Sequence, residues 1–409
     1  MSQHLVEQHL AARMRGLQPS AVREILKVAE RPEVISFAGG LPAPELFPVQ
    51  EISRAVADVL STDGAAALQY GVTEGYAPLR AWIASRLCRM GADSSVERVL
   101  ITSGSQQGID LVAKLLLDPG DGVVVEAPTY VAAIQAFSAY EATLYEVPSD
   151  QDGMDVDALE DVLRHHGVKL IYVVPEFQNP KGTTLSGPRR QRMVELAAQY
   201  GALILSDDPY GELRFRGTPA PLLAALDEER VIRLGTFSKT LAPGLRIGWV
   251  HAAREVIRRL AIAKQSSDLH TATITQRGAA KLLETFDYDA HLARIRDSYG
   301  ARCDAMLAAL EREMPAGARW TRPEGGLFIW LELPPGVTDQ ELFQRAISRD
   351  VAVVPGSAFF VTPGDGHDSF VRLNFSNQSI PRIDQGIKRL AEAMAECARG
   401  ASTHRATGT

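Results

Sequence analysis

In the run Leu234-Gly-Thr236-Phe-Ser238-Lys239-Thr-Leu-Ala-Pro243-Gly-Leu-Arg246-Ile247-Gly-Trp-Val250, an apolar segment, Val231 to Leu234, ends in two hydroxyls and a lysine. Arg246 follows seven residues after the lysine, just ahead of a second apolar segment, Ile247 to Val250. Hydroxyls and a guanidinium hold a phosphate dianion, the guanidinium in bidentate fashion. A partly desolvated lysine amine condenses with a carbonyl. The grouping suits a ligand that carries both a phosphate and an aldehyde. A strand, a polar loop and a surface lysine fit the same letters, and the rest of the chain decides between the two.

With 409 residues the chain exceeds what one hydrophobic core usually supports, which predicts one large domain with a smaller partner. A hydrophobic content of 45% with 23% charged residues is that of a globular protein able to bury a sizeable core. The formal net charge of -7 argues against a nucleic-acid or anionic-membrane partner. Cys88, Cys303 and Cys397 are far apart and lack metal-ligand spacing, so neither a disulfide framework nor a metal site is expected. The N-terminal residues lack a basic region followed by an apolar one, and no apolar run approaches membrane-spanning length, which together read as cytoplasmic.

From Val99 onward short β-like runs alternate with helical ones. The strands read are Val99 to Thr102, Val123 to Val125, Leu170 to Val174, Leu203 to Ser206, Val231 to Leu234 and Ile247 to Val250. Gly187 to Gly201 carries Met193, Leu196, Ala197 and Tyr200 at helical spacing, with Pro188 near its start and a glycine at its end. Alternation of this kind predicts an α/β fold: a mostly parallel sheet covered by helices, with ligands outside the carboxyl ends of the strands. Pro19-Ser20 opens an earlier helix in which Arg23 sits in the first turn, where a cation opposes the helix dipole. Ser36 to Pro48, with Gly39-Gly40, reads as an extended loop, and Gln69 to Gly75, containing Tyr70, as another. After residue 285 a long helix, the segment Gly325 to Glu332, an apolar loop at Val351 to Phe360 and a last helix near Ile380 to Ala398 signal a smaller α+β domain. The boundaries expected are an arm over 1–48, a large domain over 49–285, a small domain over 286–400 and a disordered tail over 401–409.

Polar groups recur where the strands end. Ser103-Gly104-Ser105-Gln106 opens a helix after the first strand and forms an anion site there. Tyr130 follows the second strand, Asn179-Pro180 the third, and Asp207-Asp208-Pro209-Tyr210 the fourth. Singly, each fits an N-cap, a turn or a core tyrosine equally well. In this order the set resembles the pyridoxal-phosphate (PLP) aminotransferases of fold type I, class I/II, over about residues 20 to 380. The resemblance implies the three-layer PLP-transferase fold and amino transfer between an α-amino acid and a 2-oxo acid. It implies that Lys239 carries the cofactor, that Asp207 pairs with the pyridine nitrogen, that Tyr210 and Asn179 hold the ring hydroxyl and that Tyr130 stacks on the ring. Gly104, Ser105, Gln106, Thr236, Ser238 and Arg246 would bind the phosphate, with Tyr70 reaching the phosphate of a neighbouring subunit in a homodimer. Arg372, in Val371-Arg-Leu-Asn-Phe-Ser376, matches the arginine that clamps the substrate α-carboxylate.

The segment Ser36 to Pro48, which contains Gly40, looks like the 2-aminoadipate and kynurenine aminotransferase branch together with Ser20 and Arg23. There Arg23 would bind a distal carboxylate of substrates such as glutamate or 2-aminoadipate. Lys181 departs from the pattern, standing where a small hydroxyl residue is usual. The same cofactor site also serves elimination, decarboxylation and oxidation. The fold further serves as the effector domain of MocR-type regulators, but no basic DNA-binding module precedes residue 20 in this sequence.

Overall fold

A computed structural model describes residues 9–15, 25, 31–362, 364 and 366–406. A short strand β1 (Ile35–Ser36) precedes the helices Val49–Ala67 and Ala77–Arg89. Eight strands then form the main sheet: β2 (Val99–Thr102), β3 (Gly122–Ala127), β4 (Thr143–Asp150), β5 (Gly153–Met154), β6 (Val168–Val173), β7 (Leu203–Asp207), β8 (Val231–Thr236) and β9 (Gly248–His251). Their order is β2-β9-β8-β7-β6-β3-β4-β5. The run from β8 through β7, β6 and β3 to β4 is parallel, while β9 lies antiparallel between β8 and β2.

Successive side chains of a strand face opposite ways, and here both faces are apolar. Val123, Val125, Leu170, Tyr172 and Leu205 pack into one buried cluster with Ile109 and Val112 of the helix Ser105–Leu116. The alternate residues Val124, Ile171, Val173 and Ile204 pack into a second with Met193, Leu196 and Ala197 of the helix Gly187–Tyr200. Two covered faces make three layers, and they explain why these strands read as continuous apolar runs. Gly201 ends its helix in the left-handed conformation at φ 73°, a conformation that glycine adopts without Cβ strain.

The expected strands are all present, each within about two residues of its expected bounds. The β4 strand and its hairpin partner β5 are additional. Thr143–Asp150 is a half-exposed strand with Pro148 inside it, paired on its outer side with β5 only at Ser149 and Asp150, and so lacks the apolar run by which its neighbours are legible. After the helix Tyr288–Glu313 the chain builds a second sheet from β10 (Arg319–Trp320), β11 (Phe328–Glu332), β13 (Val354–Pro355) and β14 (Phe370–Asn374), while β12 (Val351–Ala352) pairs with β1. The apolar loop expected at 351–360 is therefore two short strands and a 3-10 turn, Gly356–Phe359. The last helix, Ile380–Ala406, continues past Gly400 into the stretch 401–409 expected as a disordered tail, of which 407–409 lie outside the described residues. One interior glycine costs about 1 kcal/mol against alanine, and no proline follows to stop the helix.

Candidate functional site

The parallel strands β3, β6, β7 and β8 deliver their next residues to one rim, and a cavity of about 280 Å³ opens there. Its wall includes Ser105, Gln106, Tyr130, Asn179, Asp207, Tyr210, Thr236, Ser238, Lys239 and Arg246, together with Gly40 from the N-terminal loop and Arg372 from β14 of the second sheet. Twelve of the residues singled out from the sequence thus share one space. Tyr70 is not in this wall; it lies 79% exposed with its ring edge against His270. Ser20 and Arg23 lie outside the described residues.

Asp207 is the last residue of β7 and is 3% exposed. Its Oδ2 accepts a hydrogen bond from the Tyr172 hydroxyl at 2.9 Å, whereas its Oδ1 is buried without a partner. Burial pushes this carboxyl up to about 7, with Tyr172 and the nearby cations Arg233 and Lys239 opposing the rise. An orphaned carboxylate oxygen at a cavity wall is a place for a cationic N–H donor. Its neighbour Asp208 faces elsewhere: Oδ2 pairs with Arg233 at 2.9 Å and Oδ1 accepts from the Gly211 N–H at 2.7 Å.

Lys239 follows β8, and its Nζ donates to the Gly40 carbonyl at 2.7 Å. Burial, with Arg372 and Arg246 adding repulsion, pulls its amine down to about 8. A lysine so lowered is neutral in part near physiological pH, as a nucleophile or base must be.

The anion pocket is built from backbone geometry. Gly104 adopts φ 86°, and a Cβ there would come within 2.5 Å of Arg246 Nη2, so the guanidinium lies directly on the turn that opens the helix Ser105–Leu116. Arg246 itself sits in the left-handed region at φ 51°, a strain of about 1–3 kcal/mol that such sites characteristically store. Its Nη2 donates to the Ser103 carbonyl at 3.0 Å. The Thr236 hydroxyl accepts from the Ser238 N–H at 3.0 Å and lies 2.9 Å from the Ser238 hydroxyl. A helix N-terminus, two hydroxyls and an arginine at one end, and an orphaned carboxylate and a lowered lysine at the other, fit a molecule with a phosphate, a basic ring nitrogen and an aldehyde.

Arg372 is fixed by its surroundings. Its Nη1 donates to Asn179 Oδ1 at 2.8 Å, its Nη2 donates to the Ala38 carbonyl at 2.5 Å, and its guanidinium lies 4.3 Å from the centre of the Phe328 ring and 5.0 Å from that of Phe359. Phe328, Val174, Pro209 and Pro243 also line the cavity and were not foreseen. Phe328 had no local signal, because it reaches the site only through the pairing of β11 with β14. Lys181, the departure from the family pattern, does not enter this wall. Its Nζ bonds the Ser149 carbonyl and hydroxyl, and it lines a separate cleft with Trp320 and Trp330.

Among the described residues no cluster suited to a metal ion exists, and no helix is long and apolar enough to cross a membrane. Residues 32–390 match the family model for aminotransferase class I and II. The chain is 47% identical to aromatic-amino-acid aminotransferase 1 of Thermococcus litoralis, covering 95% of each protein. It is 43% identical to the 2-aminoadipate transaminase of Thermus thermophilus, covering 92% of this chain and 94% of that one. Its fold matches the crystal structure of LysN, an α-aminoadipate aminotransferase from Thermus thermophilus complexed with N-(5'-phosphopyridoxyl)-L-leucine, with a TM-score of 0.90 and 41% identity over 96% of this chain and 98% of that one. With likeness of this extent laid over a cavity that suits pyridoxal phosphate end to end, the chain belongs to the class I and II aminotransferases and is a PLP-dependent enzyme of amino transfer between α-amino acids and 2-oxo acids.

Proposed function

We propose that this enzyme accepts both apolar or aromatic amino acids and acidic ones, glutamate and 2-aminoadipate among them, in a single cavity. The observation that carries the reading is that Arg372 is a fixed cation available to a substrate α-carboxylate, in a cavity that also presents apolar surface from Phe328, Tyr130, Val174 and Pro209. The relatives named for aromatic amino acids and for 2-aminoadipate support the same breadth.

In this reading the residues divide the work by position. Gly104, Ser105, Gln106, Thr236, Ser238 and Arg246 hold the phosphate, Tyr210 and Asn179 the ring hydroxyl, and Tyr130 stacks on the ring. Bound pyridoxal phosphate supplies an electron sink for the substrate Cα. Asp207 keeps the ring nitrogen protonated by lending its unpartnered oxygen. The Lys239 amine, pulled down to about 8, is matched to taking and returning a proton at the substrate Cα near neutral pH. Arg372 holds the α-carboxylate while Gly40 and Asn179 border the same group, and the Phe328 and Phe359 rings against its guanidinium exclude water.

The reading includes a homodimer with shared sites. It is supported by Tyr70, Leu68 and Val72, exposed at 79%, 73% and 62% on one loop, with Leu269 beside His270 exposed at 46%. It also divides the chain into an arm over 1–48, a large domain over 49–285 that contains the eight-stranded sheet, and a small domain over 286–400 that contains the four-stranded one. The cavity would lie between them. A cytoplasmic enzyme agrees with the three free cysteines.

Arg23 is the residue we assign to a distal substrate carboxylate. A desolvated pair of that kind is worth a few kcal/mol when one partner is removed. Arg23→Gln should therefore lower kcat/KM for glutamate and 2-aminoadipate by roughly 10- to 1000-fold while leaving leucine or phenylalanine nearly unchanged. Equal losses for both classes, or a parent enzyme inert towards glutamate, would remove this specificity.

A further inference from the structure

Behind the anion pocket lies an ion pair that none of the roles above uses, its lysine buried and its aspartate open to solvent. Lys264, near the end of the helix Arg254–Gln265, has a side chain that is 0% exposed. Its ammonium donates to three oxygens, Gln107 Oε1, Asp268 Oδ1 and Asp268 Oδ2, each at 2.8 Å. An ammonium has three N–H groups, so every donor of this buried cation is used.

The partners lead straight to the phosphate loop. Gln107 Nε2 donates to Asp268 Oδ2 at 2.8 Å, and Gln107 Oε1 accepts the Ser103 N–H at 2.8 Å. The Ser103 hydroxyl lies 3.4 Å from Asp268 Oδ2, and the Ser103 carbonyl accepts from Arg246 at 3.0 Å. Ser103 is thus held at its N–H and its hydroxyl by the Lys264, Asp268 and Gln107 cluster, while its carbonyl holds Arg246. Gly104, with no tolerance for a shift towards Arg246, is the next residue.

We infer that Lys264 and Asp268 are positioning residues for the cofactor phosphate, which fix the peptide at Ser103 and, through its carbonyl, the aim of Arg246. The inference rests on the reading that Gly104, Ser105 and Arg246 hold the phosphate. A buried cation coordinated on all sides restrains the loop before ligand arrives, and so lowers the ordering cost of binding a dianion there. A purely structural pair would instead contribute to folding alone.

The two roles separate when apoprotein is titrated with pyridoxal phosphate and with pyridoxal, which lacks the phosphate. In Lys264→Met, pyridoxal phosphate should bind roughly 10- to 100-fold more weakly, the range expected for losing hydrogen bonds to a charged group, while pyridoxal changes less than about threefold. Gln107→Met leaves the ion pair in place but removes the acceptor for the Ser103 N–H, and should lower the preference for the phosphorylated ligand in the same direction. It serves where Lys264→Met does not fold. Equal weakening of both ligands, or an unchanged preference in a folded variant, would overturn the inference. Arg246→Ala measured alongside separates the two layers: if it too keeps the parent's preference, the phosphate reading falls and takes this inference with it, whereas loss of preference in Arg246→Ala alone defeats only the role of Lys264 and Asp268.

Discussion

Exchanging one carboxylate at a time between adjacent positions tests the site most sharply, because Asp207 and Asp208 are both buried and have different partners. Asp207→Asn keeps the shape and leaves an oxygen for the Tyr172 hydroxyl, but removes the negative charge at the cavity wall. Losing a buried charge-assisted hydrogen bond costs about 3–5 kcal/mol, equivalent to roughly 150- to 5000-fold in kcat/KM. The apoprotein should respond in the opposite sense. Burial has raised the Asp207 carboxyl to about 7 from an ordinary value near 4. A raised carboxyl adds stability below its unfolded value and loses it as pH rises through the folded value, a difference on the order of 4 kcal/mol once fully ionised. Asp207→Asn apoprotein should therefore melt no lower than the parent at pH 5 and higher than the parent at pH 8. Asp208→Asn reverses the pattern: it leaves Arg233 buried against a neutral partner, so folding should lose a few kcal/mol while kcat/KM of folded enzyme falls far less. Steady-state kinetics at saturating cofactor, with melting curves of both apoproteins at the two pH values, decide the matter. A kinetic loss under tenfold for Asp207→Asn, or a larger kinetic loss for Asp208→Asn without a lower melting temperature, would refute the assignment.

Two further outcomes are expected. Lys239, with its amine at about 8, should load cofactor at a rate that rises about tenfold per pH unit up to pH 8 and then levels off, because only the neutral amine attacks the aldehyde; a rate that is flat from pH 6 to 9, or borohydride trapping on another lysine, would reject it. In the proposed homodimer Tyr70 reaches a partner's phosphate, so Tyr70→Phe should weaken pyridoxal phosphate by several-fold without changing the sedimentation of the protein, and active monomer at assay concentration would count against the shared site.

What the sequence made legible has a common physical origin. Lys239, Asp207, Asn179 and Tyr130 each stand within a few residues of a strand end, and parallel strands send those ends to one rim whatever the rest of the chain does. The order of short motifs therefore reported three-dimensional neighbours without any knowledge of pairing. Phe328 and the direction of Lys181 depended instead on β11 meeting β14 and on Ser149 in a half-exposed strand that itself carried no apolar signal. The separation of Asp207 from Asp208 was legible only in part: alternation along an extended chain sends adjacent side chains opposite ways, but not which of the two meets Arg233, a residue on β8 paired with the β7 strand.

Lys264 and Asp268 mark the deeper limit. Four residues apart at the end of a helix, they read as an ordinary exposed ion pair of the kind worth a few tenths of a kcal/mol. Only the packing of that helix against the one that opens at Ser105 buries the lysine completely and directs it at Gln107. The same two letters thus change from surface decoration to support of the peptide at Ser103 through a contact made across 157 residues of sequence, and a buried ammonium that spends its donors on Gln107 and Asp268 is restrained at a cost in desolvation that a solvated pair would not carry. That cost is reason to look for its return in the affinity of the loop for its anion.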